Sequence, residues 1–342
     1  MTSRLLCFTL IGLTVLAAAC GRGAPPSASD SAASPPAIRI GFILATEQEE
    51  RYQRDKAAFL AAAEAAGASV IFLSSNNDEA TQRTNVESVL ARGIAALVVQ
   101  PVNSDNAGSF VDLAHARGVP LIAYDRMINH RDLDYYAGQN SAEVGRLQAE
   151  AAIAWMNERG GVGPVLILSG QQGHSVAEAI TEANRVALAA GGVPIAAQQY
   201  HDAWGTDQAL ATTENLLVRN SEIKAILCNN SGMARGAIQA VEKAGRSGRI
   251  FITGADADKA NVEQIIAGRQ QQDVYKDEIT LARTAAELAI GLARGTPPEP
   301  KDPPTTYKDA VGIRTILTPV QPVTAGNYRA VVVEAGPRYA IP

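Results

Sequence analysis

The chain has almost no cysteine. Three occur in 342 residues, and Cys7 and Cys20 fall in the N-terminal apolar stretch, so Cys228 is the only thiol in the body. An internal disulfide and a cysteine-based metal site are thereby excluded, and the apolar core must stabilise the fold. Cys228 sits in "IKAILCNN", a run that marks it as a small core residue. Aromatic residues are scarce, at 5% with two tryptophans, which lets Trp155 and Trp204 be weighed singly. No Lys/Arg-rich block occurs. With a net charge of -5 and a pI near 5.5, the basic face that nucleic acid requires is missing. Also missing are a zinc-protease helix signature, a P-loop, a nucleophile elbow and a Gly-x-Gly-x-x-Gly after the first strand. The four histidines, His115, His130, His174 and His201, show no ligand spacing, and His115 falls in a helical pattern as a surface residue. Nothing asks for a metal or a cofactor.

What is present begins with "MTSRLLCFTLIGLTVLAAAC", one early arginine and an apolar run ending in small residues. This reads as an export signal, too short to span a membrane comfortably. "LAAAC" is similar to a lipobox, in which the signal is cut before a cysteine that then carries lipid, although Leu16 lies four residues before Cys20 rather than three. Ordinary cleavage after Ala19 is the alternative. The Pro/Ser/Ala-rich stretch over 21–37 favours the lipid, because a tether without core-forming residues suits a protein held off a membrane. The chain is thus expected to have a signal over 1–20, lipidation at Cys20, no other membrane contact, and a location in the periplasm or cell envelope.

From residue 38, short apolar runs alternate with longer helical patterns. "IRIGFIL", "ASVIFLSS", "ALVVQP" and "PLIAYD" are strands by length and β-branched content, and the helices between them each end at a glycine. A second series follows in "PVLILSG", "PIAAQQY", "IKAILCN", "RIFITGAD" and "QQDVYK", with helices starting near Ser175, Gly205, Met233 and Lys259. Such alternation predicts α/β architecture with parallel sheets covered on both faces. At 342 residues there is enough chain for two lobes with separate cores.

The two series also resemble each other. "GIAALVVQPVNSDNAGSFVDLAHARGVPLIAYDR" and "EIKAILCNNSGMARGAIQAVEKAGRSGRIFITGAD" both read strand, Asn-containing loop, helix, glycine, strand, aspartate. Asp125 and Asp256 therefore occupy equivalent strand ends, with Asn103 and Asn230 matching less closely one strand earlier. An aspartate after a strand is often a helix cap or turn former. Two at equivalent places, one beside Arg126, favour a shared cleft at the carboxyl ends of the strands, where open α/β sheets bind ligands.

The groups expected at these ends suit a polyhydroxylated ligand. Carboxylates accept bonds from vicinal hydroxyls, Arg, Lys and Asn donate, and aromatic rings cover the apolar face of a sugar. Arg51, Tyr52, Asp125, Arg126, Trp204, Asn230, Asp256 and Lys276 fit this description. Trp204, just before a helix, is placed at a rim. Tyr52 is balanced between ligand and core, Lys276 contributes only if its strand end faces the cleft, and mid-helix Trp155 is a packing residue.

These residues lie in stretches that resemble periplasmic sugar-binding proteins of the type I class, most closely the xylose-binding proteins of ABC importers. The likeness is carried by "EERYQRDKAAF", "NNDEATQRTNVESVLARGIAALVVQPVN", "VPLIAYDRMI", "GAIQAVEKAG", "ITGADAD" and "VYKDEITLARTAAELA", and runs from about 38 to about 330. It implies sugar contacts from those eight side chains. The xylose-binding pattern has Trp where Tyr52 stands. It has Asp-Asn-Asn where this chain has His174-Ser175-Val176, Asn-Asp where it has Asn230-Ser231, and Pro where it has Asp277. The second departure removes an acid and an amide from one side of the pocket, which leaves the sugar open and makes His174 a candidate contact. The resemblance also implies two similar lobes joined by three hinge crossings, expected near 136–139, 276–278 and 304–310. The N-terminal lobe is then 38–138 plus 278–305, and the C-terminal lobe 139–277 plus 306–342.

The expected function is capture of a monosaccharide, xylose or a related sugar, by a monomer that delivers it to an ABC permease. A sugar-sensing subunit docking on a membrane sensor kinase or chemoreceptor would need the same surface. Repressors of the lac-repressor family share this body, but they begin with a DNA-binding headpiece where this chain has an export signal. A glycosidase using Asp125 and Asp256 as paired carboxylates is disfavoured, because nothing holds either acid protonated and Arg126 would depress the pKa of Asp125.

Overall fold

The computed structural model describes residues 38–334. The export signal, Cys20 and the tether over 21–37 lie outside the described residues, as do residues 335–342. The first lobe opens with β1 (Arg39–Leu44), α1 (Glu50–Ala65), β2 (Ser69–Ser74), α2 (Glu79–Leu90), β3 (Ala96–Val99), α3 (Ser109–His115), β4 (Leu121–Tyr124) and β5 (Tyr135–Gln139). The second contains α4 (Ser141–Asn157), β6 (Val165–Ser169), α5 (Ser175–Ala190), β7 (Ile195–Tyr200), α6 (Thr206–Arg219), β8 (Ala225–Cys228), α7 (Ser231–Lys243), β9 (Phe251–Thr253), α8 (Lys259–Ile266) and β10 (Asp273–Lys276). Then come α9 (Glu278–Ala293), β11 (Thr305–Tyr307), β12 (Ala310–Ile313), β13 (Thr315–Thr318) and β14 (Val320–Val323), and a π-helical turn over Arg329–Glu334.

The first sheet is all parallel in the order β13-β5-β4-β3-β1-β2, and the second in the order β7-β6-β8-β9. A parallel bridge from Thr253 to Gln272 leads from β9 towards β10, which pairs antiparallel with β14. In both sheets the order reverses beside the first strand, between β1 and β3 and between β6 and β8. Crossover helices leave opposite ways there, and a crevice opens at the carboxyl ends.

Strand periodicity sorts the core. Ile40, Phe42 and Leu44 of β1 face α1 and α9, while Ile43 faces α2 and α3, so each face of the sheet has its own apolar layer. At Gly41 a Cβ would lie 2.5 Å from a Val89 methyl; the missing side chain lets α2 settle on the strand. Helix starts are set by side chains. Asp78, Asn140, Asn230 and Asp277 accept from the backbone N–H of Thr81, Glu143, Met233 and Thr280, satisfying donors the helix cannot. Trp155 packs on Phe251 with ring centroids 5.9 Å apart, and Cys228 is buried in β8.

One expected boundary is corrected. The chain leaves the first sheet after β5 and returns at α9, whose apolar face joins α1 in the first core. The third passage is not near 304–310. Residues 305–313 form the β11–β12 hairpin, and Thr315–Thr318 pairs in parallel with Tyr136–Gln139 of the first sheet, so the chain crosses at Pro319. "YYAGQ" was not read as a strand from the sequence. Without β5 there was no sheet edge for 315–318 to cover, and an uncovered edge strand is what a fold avoids.

Phe59 is fully buried and stacks on Phe42 with centroids 4.0 Å apart, and Phe42 meets Tyr124 edge-on. Phe59→Ala should destabilise the protein by about 3–5 kcal/mol in urea unfolding, whereas Val218→Ser, at an 87% exposed position, should change it by no more than about 0.5 kcal/mol. Equal effects would mean that the α1–sheet layer is not a close-packed core.

Candidate functional site

The site starts from two aspartates in an uncommon backbone conformation. Asp125 follows β4 with φ +61° and Asp256 follows β9 with φ +96°, a region that non-glycine residues seldom enter and that Asp tolerates better than most. Each is held there by the next strand: the Asp125 N–H donates to the Ala137 carbonyl at 2.8 Å, and the Asp256 N–H to that of Val274 at 2.9 Å. The equivalence seen in the sequence is thus an equivalence of backbone geometry. Both side chains turn off the strand ends into the space between the lobes.

Arg51 connects them. It sits in the first turn of α1, with Nε 3.3 Å from Asp55 Oδ2 one turn on, Nη2 3.2 Å from Asp125 Oδ1, and Nη1 3.6 Å from Asp256 Oδ1 on the other lobe. Lys276 at the end of β10 lies 2.8 Å from Asp256 Oδ1. Gln100 donates to Asp125 Oδ2 at 2.9 Å, while its own oxygen accepts from the Ala45 N–H at 3.1 Å. Burial opposes ionisation of Asp125, but Arg51, Lys276 and Arg126 together with the Gln100 bond hold its carboxyl below the usual range. Asp55 sits deeper. Burial outweighs Arg51 there and pushes its pKa up to about 6, with the Tyr124 hydroxyl donating to it.

Arg126 is almost fully buried and donates to Tyr52 Oη and the Pro101 carbonyl, both at 3.1 Å. Burial pushes the Tyr52 phenol up, so it remains a neutral hydroxyl. Across the cleft, Trp204 is itself left-handed at φ +57°, strain for a bulky residue. Two neighbours hold it. Its Nε1 donates to His174 Nδ1 at 2.8 Å, and its ring lies where a Cβ on Gly170 would be, 2.5 Å away. Asn230 spends its oxygen on the cap of α7, which leaves its NH2 as the group to offer a ligand.

A narrow cavity of about 20 Å³ is lined by Arg51, Tyr52, Asp125, Arg126, Trp204, Asn230, Asp256 and Lys276, together with Glu49 and Val176. This volume lies far below that of small-molecule pockets, so the lobes must part to admit a ligand. The eight side chains assembled by sequence reasoning all reach it. His174 does not. It is fully buried behind Trp204 and accepts from the indole, so it acts as a support for the ring. Its neighbour Ser175 joins the lobes directly, with Oγ accepting from the Met127 N–H at 2.8 Å and its N–H donating to Ser104 Oγ at 3.1 Å. Asn103 is also away from the cavity, and its oxygen accepts from the N–H groups of Asp105 and Asn106. Glu49, Val176 and Gln100 were missed from the sequence. Glu49 reads there as part of an acidic, solvated helix start, and Gln100 as the polar end of a strand. Among the described residues no cluster of His, Cys, Asp and Glu is placed to hold a metal ion, and no helix is long and apolar enough to cross a membrane.

Two pseudo-equivalent parallel-sheet lobes around a buried polar cleft with one aromatic wall define a type I bilobal binding protein. The chain belongs to the periplasmic binding protein domain family, whose model matches residues 40–297. Its members are substrate-binding proteins, not enzymes. The D-xylose-binding periplasmic protein of Escherichia coli K12 is 33% identical over 305 residues, covering 87% of this chain and 90% of that protein. The protein of the same description from Haemophilus influenzae is 33% identical over 262 residues, 75% of this chain and 78% of its own length. Among solved structures, a carbohydrate transporter solute-binding protein from Chloroflexus aurantiacus in complex with D-glucose matches with a TM-score of 0.79 at 28% identity, covering 88% of this chain and 96% of that one.

His174 supplies a test of how the indole is held. Burial and the Arg126 charge lower its pKa well below the ordinary value. As pH falls through about 6.5, the unfolded chain therefore takes a proton that the folded protein refuses, and stability is lost. His174→Asn keeps an acceptor for the indole and removes the titration. Its melting temperature should fall less than that of the wild type between pH 7.5 and pH 5. His201, whose pKa is also lowered, is common to both proteins and cancels. Parallel curves would show that His174 binds its proton freely in the folded state.

Proposed function

We propose that this protein captures a monosaccharide, xylose or a related sugar, between its lobes outside the cytoplasmic membrane and delivers it to an ABC permease. The observation that carries this reading is the convergence of Asp125 and Asp256, from equivalent strand ends of opposite lobes, on one cavity. Its other walls offer Arg51, Arg126, Lys276 and Asn230 as donors and Trp204 as a stacking face. Carboxylates take pairs of sugar hydroxyls, cations and amides take ring and hydroxyl oxygens, and the indole covers the C–H face. The likeness to D-xylose-binding periplasmic proteins and to a D-glucose-bound solute-binding protein supports the same substrate class.

Closure follows from the placement of these groups. A ligand that touches Asp125 on one lobe and Asp256 on the other binds the closed arrangement better than an open one, and only such a difference in affinity shifts the population. The lobes move about the segments near 140, 277 and 319, where the chain passes between the sheets. The small-residue run before Cys20 and the Pro/Ser/Ala-rich stretch after it support export with a lipid at Cys20 holding a monomer at the membrane. In a bacterial host, Cys20→Ser should then release the protein from the detergent phase in a phase-partition experiment. Wild-type protein found wholly in the aqueous phase would remove the anchor from this reading.

The binding reading is tested by calorimetry with D-xylose, D-glucose, D-ribose and myo-inositol. The best ligand should lose about ten- to a hundredfold in affinity in Asp125→Ala and in Asp256→Ala, since each loses a charged hydrogen bond worth about 1.5–3 kcal/mol. The same ligand should alter the tryptophan fluorescence of the wild type but not of Trp204→Phe. No binding of any of the four, or unchanged affinity in both aspartate variants, would overturn the assignment.

A further inference from the structure

Among the described residues, Glu49 is the one carboxylate lining the cavity that makes no ion pair. Asp125 is engaged by Arg51 and Gln100, and Asp256 by Lys276 and Arg51. Glu49 precedes α1 at its N-cap position with an extended backbone, yet its side chain makes no cap bond. It reaches instead into the cavity. There its Oε2 is buried with no hydrogen-bond partner among the described residues. A buried acceptor without a donor costs free energy comparable to a lost hydrogen bond. A donor brought by the ligand removes that cost.

Charge narrows the kind of donor. Four carboxylates, Asp55, Asp125, Asp256 and Glu49, meet three cations, Arg51, Arg126 and Lys276, in and directly behind the cavity. The Arg51 guanidinium is already shared among three of the acids. Arg126 gives hydrogen bonds to Tyr52 and Pro101 and acts on Glu49 only at longer range. Burial raises the Glu49 pKa against the pull of Arg126 and of its own backbone N–H, with Asp256 adding to the rise and Arg51 opposing it. Glu49 also lines the outer space beside the cavity, together with Gln48, Glu50, Arg235 and Asp258. The ligand atom that meets it is therefore at the outward end of the bound ring.

We propose that Glu49 is a specificity-determining residue that selects a sugar carrying an ammonium group at its outward end, an amino sugar, over the neutral sugar with a hydroxyl there. This rests on the sugar-binding reading above. An ammonium donates to Oε2 and supplies the missing positive charge in a desolvated site, whereas a hydroxyl supplies the bond alone. The amine position that meets Glu49 depends on how the ring is seated, so the probes are D-glucose and its 2-amino, 3-amino and 6-amino deoxy analogues.

Affinities of these four for the wild type and for Glu49→Gln are measured by calorimetry at neutral pH, with melting curves of the unliganded proteins to establish folding. At least one amino analogue should bind the wild type tenfold or more tighter than D-glucose. That ratio should fall at least tenfold in Glu49→Gln, which keeps the size and polarity of the side chain and removes its charge. An amino-over-hydroxyl ratio that is the same in both proteins, or a wild type that prefers D-glucose to all three analogues, overturns the role of Glu49 while leaving sugar binding intact. A wild type that binds none of these sugars and none of those named under the proposed function overturns both. Should Glu49→Gln fail to fold, Glu49→Leu is put to the same ratio.

Discussion

The site depends on one guanidinium. Arg51 stands among Asp55, Asp125 and Asp256, and two of these acids belong to its own lobe while the third comes from the other. Burying three carboxylates would be prohibitive without a delocalised cation that stays charged and can address several of them through a planar fork. Gln100 and Tyr124 then donate to the second oxygens of Asp125 and Asp55, and Lys276 shares Asp256 Oδ1 with Arg51. Because Arg51 leaves from the first turn of α1, its position is fixed by the packing of that helix against β1 and α9, and Phe59 and Phe42 lock the packing. Core and site are therefore one mechanical unit: a shift of α1 displaces the charge on which three acids rely.

The two lobes contribute by similar means. Each follows a strand with an aspartate turned to positive φ and held by a backbone bond to the next strand. The repeat places the acids face to face, but the supporting residues are not symmetric. On the first lobe Asp125 is backed by an amide and a guanidinium, and on the second Asp256 is backed by a lysine. The aromatic lining is also unequal, with Tyr52 from the first lobe and, from the second, Trp204, which owes its orientation to His174 and Gly170. A two-fold frame thus presents an asymmetric surface, which is what recognition of a chiral ligand requires.

Where the xylose-binding pattern has Asp-Asn-Asn, this chain distributes other tasks. His174 braces the indole, Ser175 stitches Met127 and Ser104 of the first lobe to the second, and Val176 gives the cavity an apolar patch. These three positions serve packing and lobe–lobe contacts, while Glu49 brings a carboxylate to the cavity from a different element.

The amino-acid sequence by itself determined the alternation of strands and helices, the internal repeat, and the placing of Asp125 and Asp256 at equivalent strand ends. These rest on local hydrophobic period and on turn chemistry, which a few neighbouring residues carry. It also singled out Arg51, Tyr52, Arg126, Trp204, Asn230 and Lys276, which lie at strand ends or helix starts and resemble the sugar-binding pattern. Only the tertiary structure decided that β13 runs beside β5 and moves the third crossing to 319, since a sheet edge is completed by residues about 180 positions apart. It alone decided that Arg51 spans both lobes, that Gln100 supports Asp125, that His174 lies behind the indole, and that Glu49 turns inward with an unsatisfied oxygen. Each of these is a matter of distance and burial between residues remote in the chain, and no local pattern encodes which partner a polar side chain will meet once the lobes come together.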